Sequence, residues 1–174
     1  TAEIAFALGR RQTIEKALNR AKAMGIQRPE LHLVTGLVAF IDGDTELAKS
    51  SFVLADENSG GRQSGAAYLI WLELLNGDLE ASKAAEEWLE SQPESEDPEH
   101  HLLRAGLSLS LGHELDSLRS LDSAIDAGFR DWRLLSQHPM FFPLNENEAY
   151  LQRLDTIKRL VATELRNLDV EPRS

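Results

Sequence analysis

Histidines are the side chains in this sequence best suited to bind a metal or to exchange protons near neutral pH. The five histidines are His32, His100, His101, His113 and His138. Adjacent helical residues such as His100 and His101 project about 100° apart, so their rings cannot easily share one metal ion. Cysteine is absent, which excludes disulfides, thiol nucleophiles and thiolate ligands. We therefore predict no metal site.

Carboxylates could act as a catalytic pair, and the closest candidates are Glu86, Glu87 and Glu90. A catalytic pair needs a buried pocket that separates the two pKa values, whereas these residues lie in an acidic stretch that we expect to face solvent. Neither a glycine-rich phosphate loop nor a GxSxG nucleophile motif occurs. We predict that the chain is not an enzyme and holds no cofactor.

The negative charge of the chain disfavours nucleic acids and anionic membranes as partners. Its formal net charge is −11, so phosphate backbones and anionic membrane surfaces repel it. Residues 78–99 hold nine acids and a single lysine. They are either solvated outer helix faces or an acidic strip that attracts a basic partner. No apolar run is long enough to span a membrane, and we expect a soluble protein, with the cytoplasm slightly favoured over the periplasm.

Apolar residues are spaced for helices, and the helices come in pairs. Residues 30–42 form an apolar helical segment, and Gly43 then suits a helix end. In the next segment Ala48, Phe52 and Ala55 fall at intervals of four and three, which places them on one helix face. Two helices joined by a short turn predict an antiparallel hairpin.

The hairpin pattern returns along the chain. Residues 65–76 and 99–111 are again apolar and helical, and Gly77 and Gly112 follow them. A partial copy comes first, with its first helix, around residues 2–9, shortened by the start of the chain. We predict one all-α domain, 1–174, of stacked antiparallel hairpins. Its units are a partial repeat at 1–29, repeats at 30–61, 62–97 and 98–128, a C-terminal capping region at 129–168 and a tail at 169–174.

The C-terminal part departs from the hairpin pattern. Pro139 and Pro143 interrupt residues 129–145, and a long amphipathic helix resumes at Glu146. We expect this helix to cap the open end of the stack. An aromatic cluster near the prolines is either packed under that helix or exposed as a hot spot for a partner. The cluster comprises Trp132, Phe141 and Phe142.

Small residues in the hairpins resemble the pattern of the tetratricopeptide repeat. That pattern places a small residue midway along the first helix, then alanine, a bulky apolar residue and alanine on the second helix, and proline at the end. The matching residues are Gly36, Ala48, Phe52 and Ala55 in one unit, Ala81, Ala85 and Pro93 in the next, Ala17, Ala21 and Pro29 in the partial unit and Gly106 in the last. The resemblance implies a right-handed superhelical stack that binds another protein on the concave face of its first helices.

The end of the chain resembles a second arrangement. Residues 124–168, which include GFRDWRLLSQHPMFFPL and the terminal helix, are similar to the close of repeat regions in multidomain bacterial regulators. The resemblance implies a sensory or scaffolding segment downstream of an effector domain. A start at Thr1 without methionine also looks like a piece cut from a longer protein.

The repeat resemblance assigns a candidate binding groove to the first helices. The predicted groove residues are Leu33, Leu37, Phe40, Ala66, Ile70, Glu73, His100, Leu103, Arg104 and Leu107. Leu33, Leu37 and Phe40 either offer an apolar strip to a partner helix or extended peptide, or are buried in the core. One subgroup of the family clamps a peptide carboxylate, and we do not expect that mode because Leu33, Leu37 and Ala67 occupy most of the clamp positions.

These observations and the two resemblances predict a protein–protein interaction module of a larger bacterial regulatory protein, with a partner peptide or helix on the first-helix face. The partner is basic if residues 78–99 act as an attracting strip and not as solvated helix faces. Two alternatives stay open. The incomplete first hairpin could make the chain a homodimerisation module. The chain could also be part of an enzyme whose catalytic domain lies elsewhere.

Overall fold

The computed structural model describes residues 11–26, 28–59, 64–92 and 95–170. This part of the chain contains nine α-helices, one 3₁₀ helix and no strand. The helices are α1 (Arg11–Ala23), α2 (Pro29–Ile41), α3 (Thr45–Glu57), α4 (Ser64–Leu75), α5 (Leu79–Ser91), α6 (Pro98–Ser110), α7 (Glu114–Asp126), α8 (Trp132–Gln137), the 3₁₀ helix η1 (Pro139–Leu144) and α9 (Glu148–Val170). The predicted all-α class is confirmed.

Consecutive helices pack in pairs, and the pairs pack in chain order. Within the pairs, α2 contacts α3, α4 contacts α5 and α6 contacts α7. Between pairs, α3 contacts α4, α5 contacts α6, and α4 also contacts α6. Two first helices, α4 and α6, therefore lie against each other. The superhelical path and the repeat boundaries stay predictions, and the helix expected at residues 2–9 lies outside the described residues.

The three hairpin turns share one backbone geometry. Gly43, Gly77 and Gly112 have φ values of 79°, 75° and 82°, a left-handed conformation that glycine adopts without a clash of Cβ. The residue after each glycine donates its N–H to a carbonyl five residues earlier, as Asp44 does to Ala39 at 2.9 Å. This pattern is a Schellman motif. Asp44 then caps α3 through a 3.0 Å bond from a backbone N–H, and Asp78 caps α5 in the same way at 2.9 Å. These two turns therefore end one helix and cap the next.

Three helical glycines of the described chain allow close approach: Gly65 to the backbone of Asp56, and Gly36 and Gly106 to side chains. A Cβ at Gly36 would overlap the ring of Phe52, which is fully buried. A Cβ at Gly106 would overlap the thioether of Met140. Gly106 therefore lets η1 lie against α6. Gly36 and Gly106 are both small residues within first helices, as the sequence pattern indicates.

The C-terminal segment folds back over the last hairpin. η1 packs on α6 and α8, and α9 packs on α7 and α8. Tyr150 of α9 is fully buried and donates its hydroxyl to the Leu135 carbonyl at 2.8 Å. Arg153 reaches α7, where it donates to the Leu118 carbonyl at 3.2 Å and to the Asp122 carboxylate at 2.5 Å. α9 therefore covers one side of the last hairpin.

The three aromatic residues of this segment have different surroundings. Phe141 is buried, whereas Phe142 is 46% exposed. Trp132 is half-buried, with the Arg133 guanidinium 4.5 Å and the Lys158 ammonium 4.6 Å from its ring centre. The cluster thus divides between packed and exposed positions.

Gly36→Ala is expected to lower the free energy of unfolding by about 1–2 kcal/mol. Alanine gains roughly 1 kcal/mol in helix propensity, but overpacking a core costs about 1–3 kcal/mol. The cost is at the upper end here because Phe52 is a rigid, fully buried ring. Urea unfolding followed by circular dichroism measures the change. Ser50→Ala, on an exposed position of α3, is the control and should change it by less than about 0.5 kcal/mol. A Gly36→Ala chain as stable as the parent would contradict the close contact of α2 with Phe52.

Candidate binding cavity

A cavity of about 480 Å³ opens between the first helices and the C-terminal segment. Its volume lies within the range of roughly 300–1,000 Å³ that is common for ligand sites. Helices α2, α4 and α6 line it on one side, and the segment that contains α8 and η1 lines it on the other. The lining residues are Glu30, Leu33, Val34, Leu37, Tyr68, Asp97, Pro98, Glu99, Leu102, Leu103, Phe129, Asp131, Leu134, His138, Met140 and Phe141.

The walls of the cavity are mostly apolar. Leu33 and Leu37 come from α2, where a spacing of four places both on one helix face. Leu103 comes from α6. Met140 and Phe141 come from η1, which can pack closely on α6 because Gly106 has no side chain. The walls therefore depend on the C-terminal segment as much as on the first helices.

Tyr68 and His138 form a buried polar pair in the cavity lining, and each is only 7% exposed. The Tyr68 hydroxyl oxygen and His138 Nε2 are 2.8 Å apart, and the two rings stack with their centroids 5.8 Å apart. The backbone N–H of Met140 donates to His138 Nδ1 at 3.3 Å. The pair joins α4 to the start of η1.

Burial keeps both members of this pair uncharged at neutral pH. Loss of water lowers the pKa of His138 from 6.5 to about 4. Burial also raises the pKa of Tyr68 well above its usual value, and the negative charge of Glu99 adds to the rise. The pair can therefore contact an occupant through neutral hydrogen bonds.

Four acidic residues of the lining form an acidic rim, and they are Glu30, Asp97, Glu99 and Asp131. Asp97 caps α6 by accepting the N–H of Glu99 at 3.0 Å, and Asp131 caps α8 in the same way. Asp97 and Asp131 are therefore in the lining because they cap the helices that begin there. Lysine and arginine are absent from the described residues that line the cavity. Arg28, outside the lining, pairs with Glu30 at 3.4 Å. The lining side chains themselves carry a net negative charge, which favours a cation.

Three of the ten predicted groove residues line the cavity: Leu33, Leu37 and Leu103. Leu33 and Leu37 are 7% and 5% exposed. They pack in the core, as one of the two interpretations predicts, and they also border the cavity. Contact of these residues with a partner stays a prediction.

Three predicted polar groove residues contact the second helices of neighbouring hairpins. Glu73 forms an ion pair with Lys49 of α3 at 3.3 Å. Arg104 donates to the Leu89 carbonyl of α5 at 2.7 Å. His100 stacks on Trp88, which also lies on α5, with ring centroids 5.7 Å apart. These three side chains lie outside the cavity lining.

The other four predicted groove residues also lie outside the lining. Phe40 packs against Trp71, with ring centroids 4.6 Å apart. Leu107 is fully buried, while Ala66 and Ile70 are half-buried. Leu107 belongs to the hydrophobic core, and Phe40 and Ile70 pack against it.

The sequence reasoning assigned no role to Tyr68 and His138. One usable signal was that a buried tyrosine hydroxyl requires a hydrogen-bond partner. The partner lies seventy residues further along the chain, and no sequence periodicity connects two residues so far apart.

In the described part of the chain, no cluster of at least three His, Asp or Glu side chains is placed to hold a metal ion. Among the helices of that part, none is long and apolar enough to span a membrane.

No protein-family model, curated protein or solved structure matches the chain. The tetratricopeptide resemblance rests on the small-residue pattern and stays a prediction. The same holds for the resemblance to the repeat regions of bacterial regulators.

Acidification from pH 7.5 to 5.5 is expected to destabilise the chain through His138 by about 1 kcal/mol. The folded-state pKa of His138, about 4, lies below the unfolded value of 6.5. Stability from this residue is therefore full above pH 6.5 and falls as the pH drops toward 4. Urea unfolding at a series of pH values measures this loss.

His138→Gln should reduce the dependence of the free energy of unfolding on pH between pH 7.5 and 5.5. The control variant His113→Gln changes an exposed histidine and should show the same dependence as the parent chain. Equal slopes for the parent and His138→Gln would contradict the burial of an uncharged His138.

Proposed function

We propose that this chain binds a segment of a partner protein by taking one apolar anchor residue of that segment into the cavity. Basic residues beside the anchor face the acidic rim. The observation that carries the proposal is an apolar cavity with acids, and no cation, among its lining residues in the described part of the chain.

Apolar lining supplies the affinity in this proposal. An anchor side chain that leaves water contributes roughly 1.5–3 kcal/mol when it is fully buried. Leu33, Leu37 and Leu103 are themselves nearly buried, so the wall is already assembled before a partner arrives. A preformed wall reduces the ordering cost of binding.

The acidic rim supplies the selectivity. Four carboxylates border the cavity on a chain with a net charge of −11. Such a field raises the association rate of basic segments and repels acidic ones. This favours a basic partner over the other classes of occupant.

The uncharged polar pair supports binding rather than catalysis. A general base works best with a pKa near the operating pH, whereas burial lowers the pKa of His138 to about 4 and raises that of Tyr68. Within a larger regulatory protein, such a module would dock a partner near an effector domain. The homodimer and the enzyme-part hypotheses remain alternatives that no described contact favours.

A random peptide library, displayed on phage and selected against the purified chain, tests the proposal. The expected binders carry an aliphatic or aromatic residue with lysine or arginine beside it. Isothermal titration calorimetry on synthetic peptides then gives dissociation constants. Selected peptides that are acidic, or that bind equally well when the anchor is replaced by serine, would overturn the proposal.

Glu99→Lys is expected to weaken binding of the selected basic peptide by about threefold to tenfold. Reversal of an exposed charge replaces attraction, worth roughly 0.2–1 kcal/mol, by repulsion of similar size. Glu90→Lys is the matched control because it makes the same change in net charge at an exposed position outside the lining. Equal losses in the two variants would mean that net charge, and not the rim, selects the partner.

Leu102→Trp is expected to weaken the same peptide by at least about tenfold, or roughly 1.4 kcal/mol. Leu102 is half-buried in the lining, so the larger ring can occupy the cavity and exclude the anchor. Leu115→Trp, at a position that is 70% exposed, is the control and should bind as the parent does. The same calorimetry measures both, and undiminished binding by Leu102→Trp would place the peptide elsewhere.

A further inference from the structure

The hydrogen bonds around His138 define which nitrogen carries its proton. His138 Nδ1 accepts the backbone N–H of Met140 at 3.3 Å, so this nitrogen holds a lone pair. A neutral imidazole then has its hydrogen on Nε2. Nε2 lies 2.8 Å from the Tyr68 hydroxyl oxygen, and it therefore donates to that oxygen.

Tyr68 is consequently an acceptor in this pair, and its own hydroxyl hydrogen is left to donate elsewhere. Among the described residues, His138 is the one hydrogen-bond partner of the hydroxyl. Tyr68 is 7% exposed and lines the cavity. A buried donor without an acceptor is unfavourable, and an occupant of the cavity can relieve it.

The missing acceptor is best supplied by a neutral group. Four carboxylates line the cavity, one of them paired with Arg28, and the charge of Glu99 already acts on Tyr68. A further carboxylate or phosphate would meet this negative field without a cation among the described lining residues. An amide or hydroxyl oxygen accepts a hydrogen bond without that repulsion.

We propose that the anchor residue carries a neutral oxygen, from an amide or a hydroxyl group, that accepts a hydrogen bond from the Tyr68 hydroxyl. The anchor is thus an apolar side chain with one polar oxygen, and Tyr68 is its specificity determinant. This inference rests on the proposed function, since it assumes that a peptide anchor enters the cavity. A site built to hydrogen-bond a ligand oxygen disfavours the analogue that lacks it.

A double-mutant cycle tests the hydrogen bond. The probe is the selected peptide with its oxygen-bearing anchor, paired with the isostere that lacks the oxygen, such as valine for threonine or phenylalanine for tyrosine. The parent chain should bind the oxygen-bearing peptide about tenfold more tightly than the isostere. Tyr68→Phe should remove most of this preference, because phenylalanine keeps the ring and loses the donor. A preference that survives Tyr68→Phe would overturn the proposal.

The outcome also separates this inference from the proposed function. Selected peptides with purely hydrocarbon anchors that still lose affinity with Leu102→Trp would leave the binding function intact and refute the neutral oxygen. A library without any cavity-dependent binder would refute both.

A second measurement needs no variant and no peptide. Imidazole ¹⁵N chemical shifts of His138, in the chain labelled with ¹⁵N-histidine, report which ring nitrogen is protonated. We expect the proton on Nε2. A proton on Nδ1 would make the Tyr68 hydroxyl the donor to His138, and no donor would remain for an occupant. This measurement tests the direction of the Tyr68–His138 hydrogen bond even if Tyr68→Phe does not fold.

Discussion

The cavity depends on one contact, the docking of η1 against α6. Gly106 has no side chain, and Met140 occupies the space where a Cβ would be. This places His138, at the start of η1, beside Tyr68 of α4. If η1 lay further from α6, the cavity would lose the wall that Met140 and Phe141 provide, and the polar pair would separate. The C-terminal segment therefore completes the site as well as covering the last hairpin.

The same contact shapes the electrostatics of the site. Tyr68 and His138 are buried in the lining to which η1 contributes, and burial shifts the pKa of each toward its uncharged form. The acids stay at the edge, since Asp97 and Asp131 are helix caps whose carboxylates accept backbone N–H groups. An uncharged interior and an anionic edge thus arise from two independent causes, which are burial and helix capping.

Much of the helical pattern could be predicted because it is local. A glycine followed by a capping or polar residue predicts the turns at Gly43, Gly77 and Gly112. In the structure these glycines have the left-handed conformation. The apolar segment at residues 30–42 corresponds closely to α2 (Pro29–Ile41). Helix periodicity and turn chemistry involve neighbours within a few residues, so they can be recognised without knowledge of the tertiary fold.

The site itself was predicted only in part. Leu33, Leu37 and Leu103 follow from helical periodicity, which predicts the inner face of a first helix. Periodicity does not tell which neighbour a face meets, and Arg104 in fact contacts α5. By itself the sequence determined the all-α class, the paired helices and the negative charge, since these depend on composition and short-range spacing. Only the tertiary structure decided that Tyr68 meets His138 and that acids border an apolar cavity, because those contacts join segments whose approach depends on packing across the whole fold.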